Sequence, residues 1–195
     1  MRKLLTQSAV AVLLFAGVAA GNPANPPSGA AAPKLPQTSP AAQGDQSVLQ
    51  PYTSAEGRFT VTFPGGTPKL DTETINMKDG AGTTTLYEFW TEPDNGNLSY
   101  MVMYNDYAAD YANSDPQTVL ATTRDGAVSG KTLLSDMVIS LNGVPGREFT
   151  AKDDTWNYTI RQFLQGKRLY QLIVVSTAAH PATQTSAFMD SFKMN

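Results

Sequence analysis

The 195 residues contain no cysteine and a single histidine. The first absence excludes disulfides, a thiolate nucleophile, thiolate metal ligands and the lipid-attachment cysteine of a lipoprotein. The second argues against zinc, because a four-coordinate site draws on several His or Cys side chains. Positive charge is also in short supply: 14 Lys and Arg stand against 17 Asp and Glu, a formal net charge of −3. No basic patch is visible, which disfavours a nucleic-acid partner, since phosphate-backbone binding is driven by clustered cations. The longest unbroken run of apolar or small residues, Ala9 to Ala20, spans twelve positions. A helix needs about 20 to cross the hydrocarbon core, so no stable membrane insertion is expected from it.

That run has another reading. Met1-Arg2-Lys3 gives a positive start, and Val18-Ala19-Ala20 supplies the small side chains that signal peptidase accepts. A signal peptide over residues 1–20, cut after Ala20, predicts an exported protein, periplasmic or extracellular. Residues 21–46 hold six Pro, six Ala and three Gly, too little apolar side chain to fold and too much Pro for a helix. They read as an extended spacer. Residues 47–195 are then one domain of ordinary size, with 11 basic and 16 acidic groups and a packed core as the source of stability. No internal repeat is present, and the domain reads as a monomer.

Within the domain, short alternating runs are separated by turn residues. Arg58–Phe63 puts Phe59, Val61 and Phe63 on one face and ends at Pro64-Gly65-Gly66. Strands are expected over Lys69–Asn76 and Thr83–Glu92, joined by a turn at Lys78-Asp79-Gly80, and over Leu98–Asn105 after the reversal at Pro93-Asp94-Asn95-Gly96. The period then changes. Asp115 can cap a helix with Pro116 at its first position, Leu120, Thr123 and Ala127 form an inward stripe, and Gly130 is a stop. Four more strands follow at Lys131–Leu141, Arg147–Lys152, Thr155–Gln165 and Arg168–Ser176. A two-residue turn at Gly166-Lys167 sets Gln165 opposite Arg168, Leu164 opposite Leu169, Gln162 opposite Gln171 and Ile160 opposite Ile173. A closing helix is expected over Ala182–Lys193, burying Phe188 and Phe192 one turn apart. Strands in blocks with few helices give an α+β class, a predominantly antiparallel sheet of hairpins with two packed helices.

Asp153-Asp154 reads as another two-residue turn, which aligns Lys152 with Thr155, Phe149 with Tyr158 and Glu148 with Thr159. Glu148 and Arg161 then lie diagonally on one face, where a structural ion pair is expected, with Leu172 covering the arginine's methylene stem. His180, before Pro181 in a connection, reads as an exposed loop residue, with no partners specified for nucleophilic catalysis. Among the carboxylates, Glu88, Asp106, Asp153 and Asp154 have no spacing that specifies a catalytic pair. Glu88 is set apart by sharing a face with Leu86 and Trp90, where a charge must find a partner or solvent. Asp106, Asp110 and Asp115 do not fit the ligand spacing of a calcium loop. The glycosylation patterns at Asn97 and Asn157 fall in predicted strands of a chain with a bacterial-looking signal. No metal or cofactor is therefore expected. Tyr107, Asp110 and Tyr111 lie in a polar connection ahead of the helix cap and are the expected edge of a contact surface.

Three stretches together resemble small exported bacterial domains of the PsbP-like α/β/α sandwich class: Arg58-Phe59-Thr60-Val61-Thr62-Phe63-Pro64-Gly65, Asn142-Gly143-Val144-Pro145-Gly146-Arg147-Glu148-Phe149 and Gly166-Lys167-Arg168-Leu169-Tyr170-Gln171-Leu172. The resemblance implies an accessory or binding role, non-enzymatic, toward another envelope component, either a protein or a polar polymer. The alternative is an extracytoplasmic hydrolase using carboxylate acid-base chemistry at Glu88 or near Asp106.

Overall fold

A computed structural model describes residues 51–76, 83–108 and 114–195. The expected signal peptide and spacer, the expected Lys78-Asp79-Gly80 turn, Asp110 and Tyr111 lie outside the described residues. Strands β1 (Pro51–Ser54) and β2 (Phe59–Thr62) form a hairpin, followed by β3 (Lys69–Asn76), β4 (Thr83–Thr91) and β5 (Leu98–Asp106). Helix α1 (Pro116–Ala127) precedes β6 (Thr132–Leu141), β7 (Val144–Lys152), β8 (Trp156–Gln165) and β9 (Arg168–Thr177). The chain closes with α2 (Thr185–Asp190) and β10 (Lys193–Met194). All described strand pairs are antiparallel, in a seven-stranded sheet of order β3-β4-β5-β9-β8-β7-β6 and a three-stranded sheet of order β1-β2-β10.

Alternation decides which side chains meet on each face. One face of the large sheet sends Phe89, Tyr100, Val102, Tyr104, Tyr170, Leu172 and Val174 into a cluster with Phe59, Val61 and Phe63 of the β2 segment and Phe188 and Phe192 from the C-terminal segment. The other face carries Leu86, Met101, Met103, Phe149, Ile160 and Ile173. Part of it lies under α1, whose Val119 and Leu120 meet Leu164 and Leu169. The helices are minor, at twelve and six residues, so the expected layering with two packed helices holds only in part. The outer layer on the first face is largely the small sheet.

The α1 boundaries follow from its caps. Asp115 Oδ2 accepts from the Thr118 N–H at 2.8 Å, Pro116 occupies the first turn, and Gly130 takes φ +74° after the end. The C-terminal segment differs from expectation: the helix stops at Asp190, and Lys193 and Met194 pair with Thr60 and Phe59. A longer helix would leave the outer edge of β2 unpaired. Instead Ser191 Oγ accepts from the Thr62 N–H at 2.9 Å, and Phe192 stacks between Phe59 and Phe163.

The two hairpins of the β7–β8–β9 meander differ in how well their turns fix the pairing. At Gly166 (φ +61°) the β8–β9 register is Gln165↔Arg168, Leu164↔Leu169, Gln162↔Gln171 and Ile160↔Ile173, as the two-residue turn requires. Between β7 and β8 the expected register is wrong by two residues: Lys152 faces Asn157, Phe149 faces Ile160 and Glu148 faces Arg161. The turn positions are Asp154-Thr155, because Asp153 N donates to Trp156 O at 3.0 Å. Asp153 Oδ1 in turn accepts from the N–H groups of Thr155 and Trp156 at 2.9 and 2.8 Å, so its side chain closes the turn from the strand side. Strand β7 also begins earlier than expected, at Val144, because Asn142 (φ +51°) and Gly143 (φ +83°) form a tight hairpin with β6. Pro145 is accommodated because β8 pairs with β7 only from Gly146 onward.

Candidate functional site

The site is built where β5 ends, the β8–β9 hairpin turns and the β1–β2 turn folds over both. Asp106 and Arg168 are direct cross-strand partners. Arg168 Nε and Nη2 donate to the two Asp106 oxygens at 2.7 and 3.0 Å, a bidentate match of fork to carboxylate. Its Nη1 donates to the Glu56 carbonyl at 2.8 Å, and its guanidinium lies 4.7 Å from the Tyr104 ring centroid. Tyr170 Oη donates to the Gly57 carbonyl at 2.8 Å, and Asn195 N donates to the Arg58 carbonyl at 2.9 Å. These bonds pin the β1–β2 turn to the sheet and place Arg58 opposite the hairpin tip. Between them lies a cleft of about 300 Å³, lined by Arg58, Asp106, Gln165, Lys167, Arg168 and Tyr170.

The electrostatics follow from the pairing. The Arg168 hydrogen bond, helped by the nearby charges of Lys167 and Arg58, holds the Asp106 carboxyl below its usual range against the opposing effect of burial. Its partner Arg168 is held even more firmly in its charged form. Asp106 is therefore an ionised, neutralised carboxylate, poorly suited to donate a proton near neutral pH. The side chains of Arg58 and Lys167 form no ion pair or hydrogen bond among the described residues. On an acidic chain, this cleft is cationic.

Tyr107 borders the site. Its backbone N–H donates to the Lys167 carbonyl at 2.8 Å, its hydroxyl lies 3.2 Å from Thr123 Oγ1, and its half-buried ring packs against the small cluster under α1. Asp110 and Tyr111, expected beside it, lie outside the described residues. The other candidates are scattered. Glu148 and Arg161 meet away from the cleft, with Arg161 Nε donating to Glu148 Oε2 at 2.7 Å and Nη1 to Asp190 Oδ1 at 3.0 Å. Glu148 and Arg161 are direct neighbours rather than diagonal ones, as the corrected register dictates. His180 pairs through Nδ1 with Asp94 in the β4–β5 turn, at the opposite end of β5 from Asp106. Asp115 is engaged in capping α1, and among the described residues no group of three or more His, Cys, Asp or Glu is placed to hold a metal.

Glu88 remains. It shares its face with Leu86 and Trp90 in the second core, directly opposite Asp71 and diagonal to Glu73 on β3. Burial first, then the charges of Glu73 and Asp71, push its carboxyl up to about 7. No cation is paired with it among the described residues, and the nearby Lys69 ammonium sits 4.2 Å from the Trp90 ring centroid.

Sequence reasoning singles out Asp106 and Tyr107 but misses Arg58, Lys167 and Arg168 as a group. The available signal is that all three cations fall inside two of the three stretches that carry the resemblance, in an otherwise acidic chain.

The chain is similar in fold to antiparallel-sheet proteins of the PsbP-like class. It is similar to the solution structure of cyanobacterial PsbP (CyanoP) from Synechocystis, at TM-score 0.50 and 12% identity, over 79% of this chain and 98% of that one. A Pseudomonas aeruginosa protein of unknown function matches at TM-score 0.37 and 9% identity, over 71% and 89% of the two chains. No family model and no curated protein sequence matches. Among the described residues, no helix is long and apolar enough to cross a membrane.

Proposed function

We propose that this chain is an exported accessory or binding module that contacts another component of the cell envelope, without catalysing a reaction. The contact is made at the end of the sheet where Asp106, Tyr107 and the Gly166-Lys167 turn meet. The observation that carries this reading is the cleft itself: Arg58 and Lys167 stand over an Asp106–Arg168 pair that is already satisfied. Such an arrangement offers charge for recognition, while its one carboxylate is held ionised and is a poor proton donor for turnover. Export rests on the Met1–Ala20 segment, and a mature N-terminus at Gly21 found by mass spectrometry of the extracytoplasmic fraction is the expected result. Photo-crosslinkers placed at Lys167 and at Met137, on the far side of the sheet, test the contact in the native host. Specific adducts from position 167 alone support the reading, and equal yields from both positions refute the assigned surface.

The hydrolase reading has one observation in its favour, the Glu88 carboxyl pushed up to about 7, where a general acid works well. A role for Glu88 in turnover requires that Glu88→Gln abolish a hydrolytic activity of the exported protein.

A further inference from the structure

We infer that the cleft between Arg58 and the Gly166-Lys167 turn is an anion site that holds a phosphate group. This rests on the binding-module reading above and specifies what that module grips. The first observation is charge segregation. A chain of net charge −3 brings Arg58, Lys167 and Arg168 around one concavity, and its single lining acid, Asp106, is fully engaged by Arg168. The cleft thus presents the two remaining positive groups to solvent, one a planar fork that fits two oxygens and the other a compact ammonium that can approach a third. A singly charged carboxylate would satisfy the fork and leave the ammonium unmatched. A phosphate has oxygens and charge enough for both.

The second observation is the backbone at Arg58, which holds φ +52°. The other two described non-glycine residues with positive φ are Asn95 and Asn142, and asparagine adopts that region readily. Arginine gains nothing there from its side chain, and glycine would occupy the position more easily. The long exposed side chain makes no bond within the described protein, so its presence is not explained by folding. Strained non-glycine residues of this kind concentrate at ligand sites, where the geometry that costs stability also aims the side chain. Here it aims a guanidinium across the cleft from Lys167.

The floor is preorganised. Arg168 is fixed by Asp106, by the Glu56 carbonyl and by the Tyr104 ring, and Tyr170 ties the Gly57 carbonyl beneath Arg58. A phosphate entering the cleft therefore orders two surface side chains and leaves the backbone in place, which keeps the entropic cost of binding low.

The test uses the full chain after signal removal, titrated with inorganic phosphate at low ionic strength and followed by 15N NMR of the Arg58 Nε–H and the Gly166 and Lys167 amides. Saturable shifts confined to these groups are expected, weakened by added salt. Arg58→Gly and Lys167→Ser should each weaken binding at least about tenfold, the loss expected for one charge-assisted hydrogen bond. Arg58→Gly separates this from unfolding, because glycine suits φ +52° and the melting temperature should hold or rise. Absent shifts, or shifts equal in wild type and both variants, overturn the assignment. Sedimentation with phosphatidic acid vesicles, whose head group is a phosphomonoester, that the double variant abolishes identifies a lipid head group as the source. Phosphate binding without vesicle binding identifies a soluble or polymer-borne phosphate. Crosslinked partners recovered equally with the double variant would overturn the anion site while leaving the binding-module reading intact.

Discussion

Replacing Glu88 with Gln should stabilise the protein, and by an amount that grows with pH. Glu88 is half-buried opposite Asp71 and near Glu73, and its carboxyl is pushed up from 4.5 to about 7. In the unfolded chain the same group titrates near its ordinary value. Between those two values the folded protein holds a proton that the unfolded chain has released, so stability falls as pH rises through this window and the loss is complete above pH 7. Each pKa unit corresponds to about 1.4 kcal/mol, which sets an upper bound of about 3.5 kcal/mol, and partial solvent access brings the expected effect to about 1–3 kcal/mol. The glutamine amide keeps the shape of the carboxyl and never ionises. Thermal melts followed by circular dichroism at about pH 4.5, 6 and 8 should show nearly coincident curves at the lowest pH. At the highest pH the variant should lead by several degrees, since about 1 kcal/mol moves a domain of this size by roughly 2–8 °C. Other titrating groups are common to both proteins and cancel in the difference. An offset independent of pH, or a variant that melts lower at the alkaline end, would show that Glu88 is not held in a hostile environment.

Three further outcomes are expected. Gly146→Ala should cost at least about 1–3 kcal/mol in urea unfolding, because a Cβ there would lie 2.5 Å from the Phe163 ring and 2.6 Å from the Gln162 carbonyl oxygen; an unchanged midpoint would refute that packing. Tyr104→Phe should be neutral or stabilising by up to about 1 kcal/mol, since the buried Tyr104 hydroxyl has no partner among the described residues, and a clear loss of stability would show that it has one. Double-mutant cycles should give Arg161 a coupling of about 1 kcal/mol with Glu148 and nearly none with Asp190, because the first pair is largely covered while the Asp190 side chain is 67% exposed; the reverse order would contradict the burial.

Glu148 and Arg161 also show how far the sequence can be read. The hairpin at Gly166-Lys167 is legible because a glycine suited to positive φ fixes the turn, and a fixed turn fixes every pair along β8 and β9. At Asp153-Asp154 composition points to a turn but not to its position. Asp153 uses its carboxylate to accept from two backbone N–H groups and one tyrosine hydroxyl, which moves the turn one residue onward and the register by two. An even shift preserves the face, so Glu148 and Arg161 still meet although their expected alignment is wrong. Strands β1 and β10 escape the sequence for a different reason. Four residues and two residues carry too little alternation to register as strands, and each forms because β2 offers it an edge.

The cleft is harder to see because its chemistry depends on pairings between distant segments. Asp106 stands out in the sequence as a carboxylate that could do acid-base work, but Arg168, 62 positions away, is its cross-strand partner and fixes it in the ionised form. That one contact reverses the meaning of the site. With the acid neutralised, Arg58 and Lys167 set the sign of the potential, and a place considered for hydrolysis becomes one suited to holding an anion. Arg58 itself reads in the sequence as the first residue of an alternating strand, which its neighbours' pattern supports. Its backbone leaves the strand region because the β1–β2 turn must bring Gly57 within reach of Tyr170, a contact spanning 113 positions. The identity of the residues is sufficient to predict a sheet, whereas the sign of the charge at its end depends on which of those residues neutralise one another.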